Sequence, residues 1–96
     1  MITKNDFKNK QFSETRKILD TELENGLKRG LEKYYPADET IIIELKNTSH
    51  IPVSDEVREH IKDRLINVHE FDWDDLYTIY KTESNTSNIF LKVYVA

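Results

Sequence analysis

Leu19, Leu23, Leu27 and Leu31 recur at every fourth residue, and soon afterwards the chain reads Thr40-Ile-Ile-Ile-Glu-Leu-Lys46. The first spacing returns to one face of a helix, with Ile18, Tyr34 and Tyr35 flanking the stripe, so the stripe is expected to face a core. The second run is too short for a helix and rich in β-branched residues, which favours a strand. Pro36 sits between them. It has no N–H to donate and disfavours the helical conformation of Tyr35, so the change of period must fall there. A chain that makes this switch within thirty residues has to combine helices and strands in one unit.

The rest of the sequence extends that reading. Ser13 is a plausible helix cap, with Phe12 placed to staple onto the first turn. Residues 1–11 are polar and rich in Lys and Asn, which predicts a flexible N-terminal arm or at most a short edge strand. Residues 12–96 are then a single α+β domain. Ser54 caps a second helix, and Asp55 and Glu56 suit its positive first turn. Its expected buried stripe is Val53, Val57, Ile61, Leu65 and Val68. Residues 76–82 and 88–96 read as two strands around the polar loop Glu83-Ser-Asn-Thr-Ser-Asn88, with a short helix over 72–80, capped by Asp72 and Asp75, as the alternative to the first of them.

The predicted order is helix, strand, helix, strand, strand. If the first two strands were neighbours, the second helix would be their right-handed crossover, and they would run parallel. The hairpin would add an antiparallel strand. The expected architecture is therefore two-layered, with both helices on one face of a three-stranded mixed sheet. Gly26 and Gly30 fall inside the first helix and read as a seam where it approaches a neighbour closely; internal packing is the preferred reading over a dimer motif.

Composition narrows the function classes. The chain has 96 residues, is 38% hydrophobic and 33% charged, and carries a net charge of −4. That is enough for one domain burying roughly 60–65% of its unfolded surface. With no cysteine, disulfide frameworks and thiolate metal sites are excluded. No apolar stretch follows Met1 and no window approaches a membrane span, so a cytoplasmic location and no membrane contact are expected. Residues 1–35 carry eight Lys/Arg against six acids, residues 36–70 four against eight, and residues 71–96 two against four. This gradient is too shallow for a basic nucleic-acid footprint. Asn47-Thr-Ser and Asn85-Thr-Ser match the glycosylation sequon and are read as chance matches.

Asn67-Val-His-Glu-Phe-Asp-Trp-Asp-Asp-Leu-Tyr77 gathers a histidine, four carboxylates and the only tryptophan. Asp72, Asp74 and Glu83 match three positions of a calcium loop, but Leu76 and Tyr77 occupy its fifth and sixth, where a ligand and glycine belong. His69 with Asp72 and Asp74, or His60 with Glu56, lacks the rigid convergent frame and the paired-histidine spacing of a zinc site. Asp72 and Asp74 could share a proton across one strand face, yet no nucleophile, oxyanion hole or glycine-rich loop accompanies them. Ser49-His50 has neither an elbow motif nor an orienting acid. The stretch reads as a junction, and no metal, cofactor or catalytic residue is expected.

Function is sought on the sheet. Ile41, Ile43 and Leu45 alternate with Ile42, Glu44 and Lys46. Ile89, Leu91, Val93 and Val95 alternate with Phe90, Lys92 and Tyr94. The aliphatic sets belong inside. The outer face would show Ile42, Phe90, Lys92 and Tyr94, joined by Thr78 and Tyr80 if Ile79 points inward. Such a face needs covering by a third layer, the N-terminal arm or a subunit, or by a binding partner. Ile42, Tyr80, Phe90, Lys92 and Tyr94 are the candidate binding residues. The sequence predicts a small non-enzymatic, regulatory protein-interaction module, with a protein partner or a homodimer at this face. The competing reading is a single-stranded nucleic-acid-binding module using the same aromatics and lysines, opposed by Glu44 and by the net negative charge. A small hydrolase or metal-dependent enzyme ranks third.

Overall fold

The computed structural model describes residues 1–72, 76–81 and 88–95, and the side-chain surroundings of 1–72 and 88–95. Its elements run α1 (Lys4–Glu32), β1 (Thr40–Leu45), α2 (Asp55–Asn67), β2 (Leu76–Lys81) and β3 (Ile89–Tyr94). Two helices pack on one face of an antiparallel sheet, an α+β arrangement.

Helix α1 begins nine residues before Ser13. Its start is fixed by Thr3 and Asp6: the Thr3 backbone N–H donates to the Asp6 carboxylate at 2.7 Å and the Thr3 hydroxyl donates to it at 3.2 Å. This capping arrangement supports a helix start where no glycine or proline opposes it. Residues 4–11, expected as an arm or an edge strand, are helical.

The buried seam of α1 also departs from the leucine stripe. Leu19 and Leu23 are buried and Leu27 is half-buried, but Leu31 is 74% exposed. Steps of four overshoot a 3.6-residue turn by about 40° each, so three steps carry Leu31 a third of a turn away from Leu19. Gly26 and Gly30 continue the seam instead. A Cβ on Gly26 would stand 2.7 Å from the Glu44 carbonyl oxygen, and one on Gly30 would stand 2.5 Å from Ile43 Cδ1. The glycines are therefore where α1 lies on β1.

Ser54 caps α2 by accepting a hydrogen bond from the Val57 N–H at 3.3 Å. Val57, Ile61 and Leu65 are buried; Val68, expected to complete that stripe, caps the C-terminus and is 47% exposed. Glu70 then adopts a left-handed conformation (φ 63°), which lets the Phe71 N–H bond back to the Leu65 carbonyl at 2.9 Å. Residues 67–72 are thus a helix terminus that turns back so that Phe71 packs against the core.

The mixed sheet expected from a β1–α2–β2 crossover is not formed. Strand β1 pairs antiparallel with β3, and β2 pairs antiparallel with the other side of β3. Strands β1 and β2 run in the same direction but are separated by β3. Strand β3 follows β2 closely in the chain and pairs with it antiparallel, and its other edge pairs with β1, where Ile41, Ile43 and Leu45 stand opposite Val93, Leu91 and Ile89, each of these three no more than 1% exposed. With Ile43, Leu45, Leu23, Ile61 and Leu65 they form the centre of the core.

Candidate interaction surface

The β1–β3 ladder sets the two faces. Ile41 faces Val93, Ile43 faces Leu91 and Leu45 faces Ile89 on the helix side, while Thr40 faces Tyr94, Ile42 faces Lys92 and Glu44 faces Phe90 on the other. Burial follows the alternation. Ile43, Leu45, Ile89, Leu91 and Val93 are buried, Lys92 is exposed, Phe90 and Tyr94 are half-buried, and Ile42 is 58% exposed. An isoleucine left this open beside two aromatic residues makes an apolar patch bordered by a lysine and a glutamate.

Four of the five candidate residues, Ile42, Phe90, Lys92 and Tyr94, share that face. Tyr80 is the register partner of Phe90, and Thr78 that of Lys92; the side chains of β2 lie outside the described surroundings. The glutamate is held in place. Asn88 Nδ2 donates to Glu44 Oε1 at 2.7 Å, while Asn88 Oδ1 accepts from the Asn47 N–H at 3.1 Å. This link joins the two strand ends at the lower border of the patch. Nothing in the local sequence announces it, because it depends on the β1–β3 register. The expected alternative cover, the N-terminal arm, is elsewhere: residues 1–11 are exposed, and Asn5, Lys8, Asn9 and Phe12 line a groove with Ile51, Pro52 and Val57 at the start of α2.

The sites weighed on histidine and carboxylate grounds resolve differently. His60 Nε2 lies 2.7 Å from Asp20 Oδ1 across the helix pair, and Arg64 Nε lies 3.3 Å from the same oxygen. His69 Nε2 stands 4.0 Å from Glu24 Oε2. Both histidines are mostly buried and bridge α2, or its C-terminal extension, to α1; Asp72 is exposed. Among the described residues no group of three or more His, Asp or Glu side chains could hold a metal ion. Asp74 and Glu83, which the calcium and paired-carboxylate readings need, lie outside the described residues, as do Trp73 and the Asn85 sequon. Asn47 is 4% exposed, and its Nδ2 donates to the Ile51 carbonyl at 2.8 Å, so the folded chain does not present this amide as a glycan acceptor. Among the described residues no helix is long and apolar enough to cross a membrane.

No family model matches the chain, and neither a curated protein nor a solved structure matches it.

Proposed function

We propose that this protein is a small non-enzymatic interaction module that takes a protein partner, or a second subunit, on the sheet face formed by Ile42, Phe90, Lys92 and Tyr94, with Tyr80 at its β2 side. The observation that carries this reading is Ile42, 58% exposed between neighbours that include two half-buried aromatic residues, on the face opposite both helices. Aromatic anchors inside a rim of opposite charges, here Lys92 and Glu44, are the usual composition of a protein-binding patch. The Glu44 carboxylate weighs against a phosphate backbone lying along the same face. The reading includes a regulatory, cytoplasmic role.

Affinity capture from a lysate of the source cells, run with the natural chain and with the Phe90→Ser/Tyr94→Ser variant, tests the reading. Both substituted residues lie opposite Leu91 and Val93, so the circular dichroism spectrum should persist. A specific protein held by the natural chain should be lost by the variant, with affinity weakened roughly thirtyfold or more. Retention of the same partner by both proteins would remove the sheet face from consideration. Tight oligonucleotide binding that falls steeply with salt would transfer the face to single-stranded nucleic acid.

A further inference from the structure

We propose that two copies of this chain associate through the outward face of α1, antiparallel, about a two-fold axis passing between Phe12 and Ser13. This surface is separate from the sheet face. The first observation is length. Helix α1 has 29 residues, about 43 Å at 1.5 Å per residue, but its buried positions are Leu19, Leu23 and Gly26. The first eleven residues of the chain are all exposed. Asn5, Asp6, Phe7 and Asn9 are weak helix formers, and helical turns without tertiary contacts are marginal in water. A projecting helix of this composition calls for cover.

The second observation identifies the cover. Phe7 is 70% exposed and Ile18 is 38% exposed. With Gln11 and Glu14, both exposed, they form one stripe spaced by four, three and four residues. That spacing reads the same in both directions. In an antiparallel pair centred between residues 12 and 13, Phe7 meets Ile18 of the second copy. Gln11 meets Glu14 of the second copy, the amide donating to the carboxylate. On the flanks Lys4 falls beside Glu22 of the second copy, and Lys10 beside Glu14 of the second copy. Among the described residues Glu14 pairs with Lys17 alone, at an exposed 3.5 Å, too weak to hold it. Each contact occurs twice, as a two-fold axis requires.

The charges also choose the direction. A parallel pair would set the stripe residues Phe7, Gln11, Glu14 and Ile18 against their own copies, with the two Glu14 carboxylates facing, and would leave Lys4 far along the helix from Glu22 of the second copy. The bodies do not collide, because Leu19, Leu23 and Gly26 point to the sheet about a third of a turn from the stripe. Asp20 and Glu24, which meet α2, are on the far side.

Sedimentation equilibrium of the full chain from micromolar to millimolar concentration tests the proposal. The natural chain should show a monomer–dimer equilibrium. Phe7→Ser should weaken it roughly thirtyfold or more, since the ring is lost at two places in the dimer. Phe7 is exposed, so circular dichroism should report a folded body. Lys4→Glu alone should weaken the dimer, and Lys4→Glu combined with Glu22→Lys should restore it. A natural chain that stays monomeric at millimolar concentration overturns the proposal, as does a Phe7→Ser variant that dimerises normally. Failure of the swapped pair to recover overturns the antiparallel register. The Phe90→Ser/Tyr94→Ser variant should dimerise like the natural chain; if it alone loses the dimer, the copies meet through the sheet and not through α1.

Discussion

Gly26 of α1 lies so near the backbone of Glu44 in β1 that a Cβ would stand 2.7 Å from the Glu44 carbonyl oxygen. Backbone cannot yield as a side-chain tip can, and β1 is fixed by Ile43 and Leu45, which are 0% and 1% exposed. Alanine at an open helical glycine would add up to about 1 kcal/mol of stability. Here Gly26→Ala should instead destabilise by about 1–3 kcal/mol, because the helix must lift from the strand. Urea denaturation reads the sign directly. The Gly30 contact is with Ile43 Cδ1, the movable end of a side chain, so Gly30→Ala should cost less. Gly30→Leu fills the same gap with a full side chain and should again cost about 1–3 kcal/mol. Stabilisation by Gly26→Ala would mean that helix and strand are further apart than this.

Those two glycines show what was legible in the sequence and what was not. A close approach of α1 to a neighbour could be read from them, but its partner could not, since only the packed fold puts Ile43 beneath the helix. The alternation of Ile41, Ile43 and Leu45 with Ile42 and Glu44 gave the two faces of β1 correctly, because a period of two leaves one choice once a core exists. The mixed sheet failed for a physical reason: local pattern does not say which strands pair, and the match of Ile41, Ile43 and Leu45 to Val93, Leu91 and Ile89 exists only in the folded register. Ser13 misplaced the start of α1 because a good cap residue is not a stop when the preceding residues tolerate helix and Thr3 and Asp6 cap it earlier. The Asn88–Glu44 link at the border of the candidate surface joins residues 44 positions apart and has no local signature.

The loop between β1 and α2 is built on Asn47. Its Oδ1 accepts from the Ile51 N–H and its Nδ2 donates to the Ile51 carbonyl, both at 2.8 Å, and its side chain is buried. Asn47→Ala leaves two buried backbone groups without partners, each costing about 1–3 kcal/mol. Allowing for partial relaxation, a loss of about 2–4 kcal/mol is expected in chemical denaturation. Thr48→Ala, one residue along and exposed, should stay within about 0.5 kcal/mol of the natural chain. Equal effects at the two positions would show that the loop does not depend on the Asn47 amide.

Asp20 joins the two helices by a single oxygen that meets both His60 Nε2, at 2.7 Å, and Arg64 Nε, at 3.3 Å. His60 and Arg64 are one helical turn apart on α2, so one carboxylate serves both. Their side chains are 16% and 31% exposed and that of Asp20 is 30%, which limits solvent screening without removing it. Asp20→Ala takes the carboxylate from both partners, whereas His60→Ala leaves it with Arg64. The two substitutions therefore share an interaction, and the double variant should be less damaged than the sum of the singles. A coupling of about 0.5–2 kcal/mol is expected from a double-mutant cycle in urea. Strict additivity would mean that water carries the pair and that the rest of the helix packing holds α1 to α2 without its help.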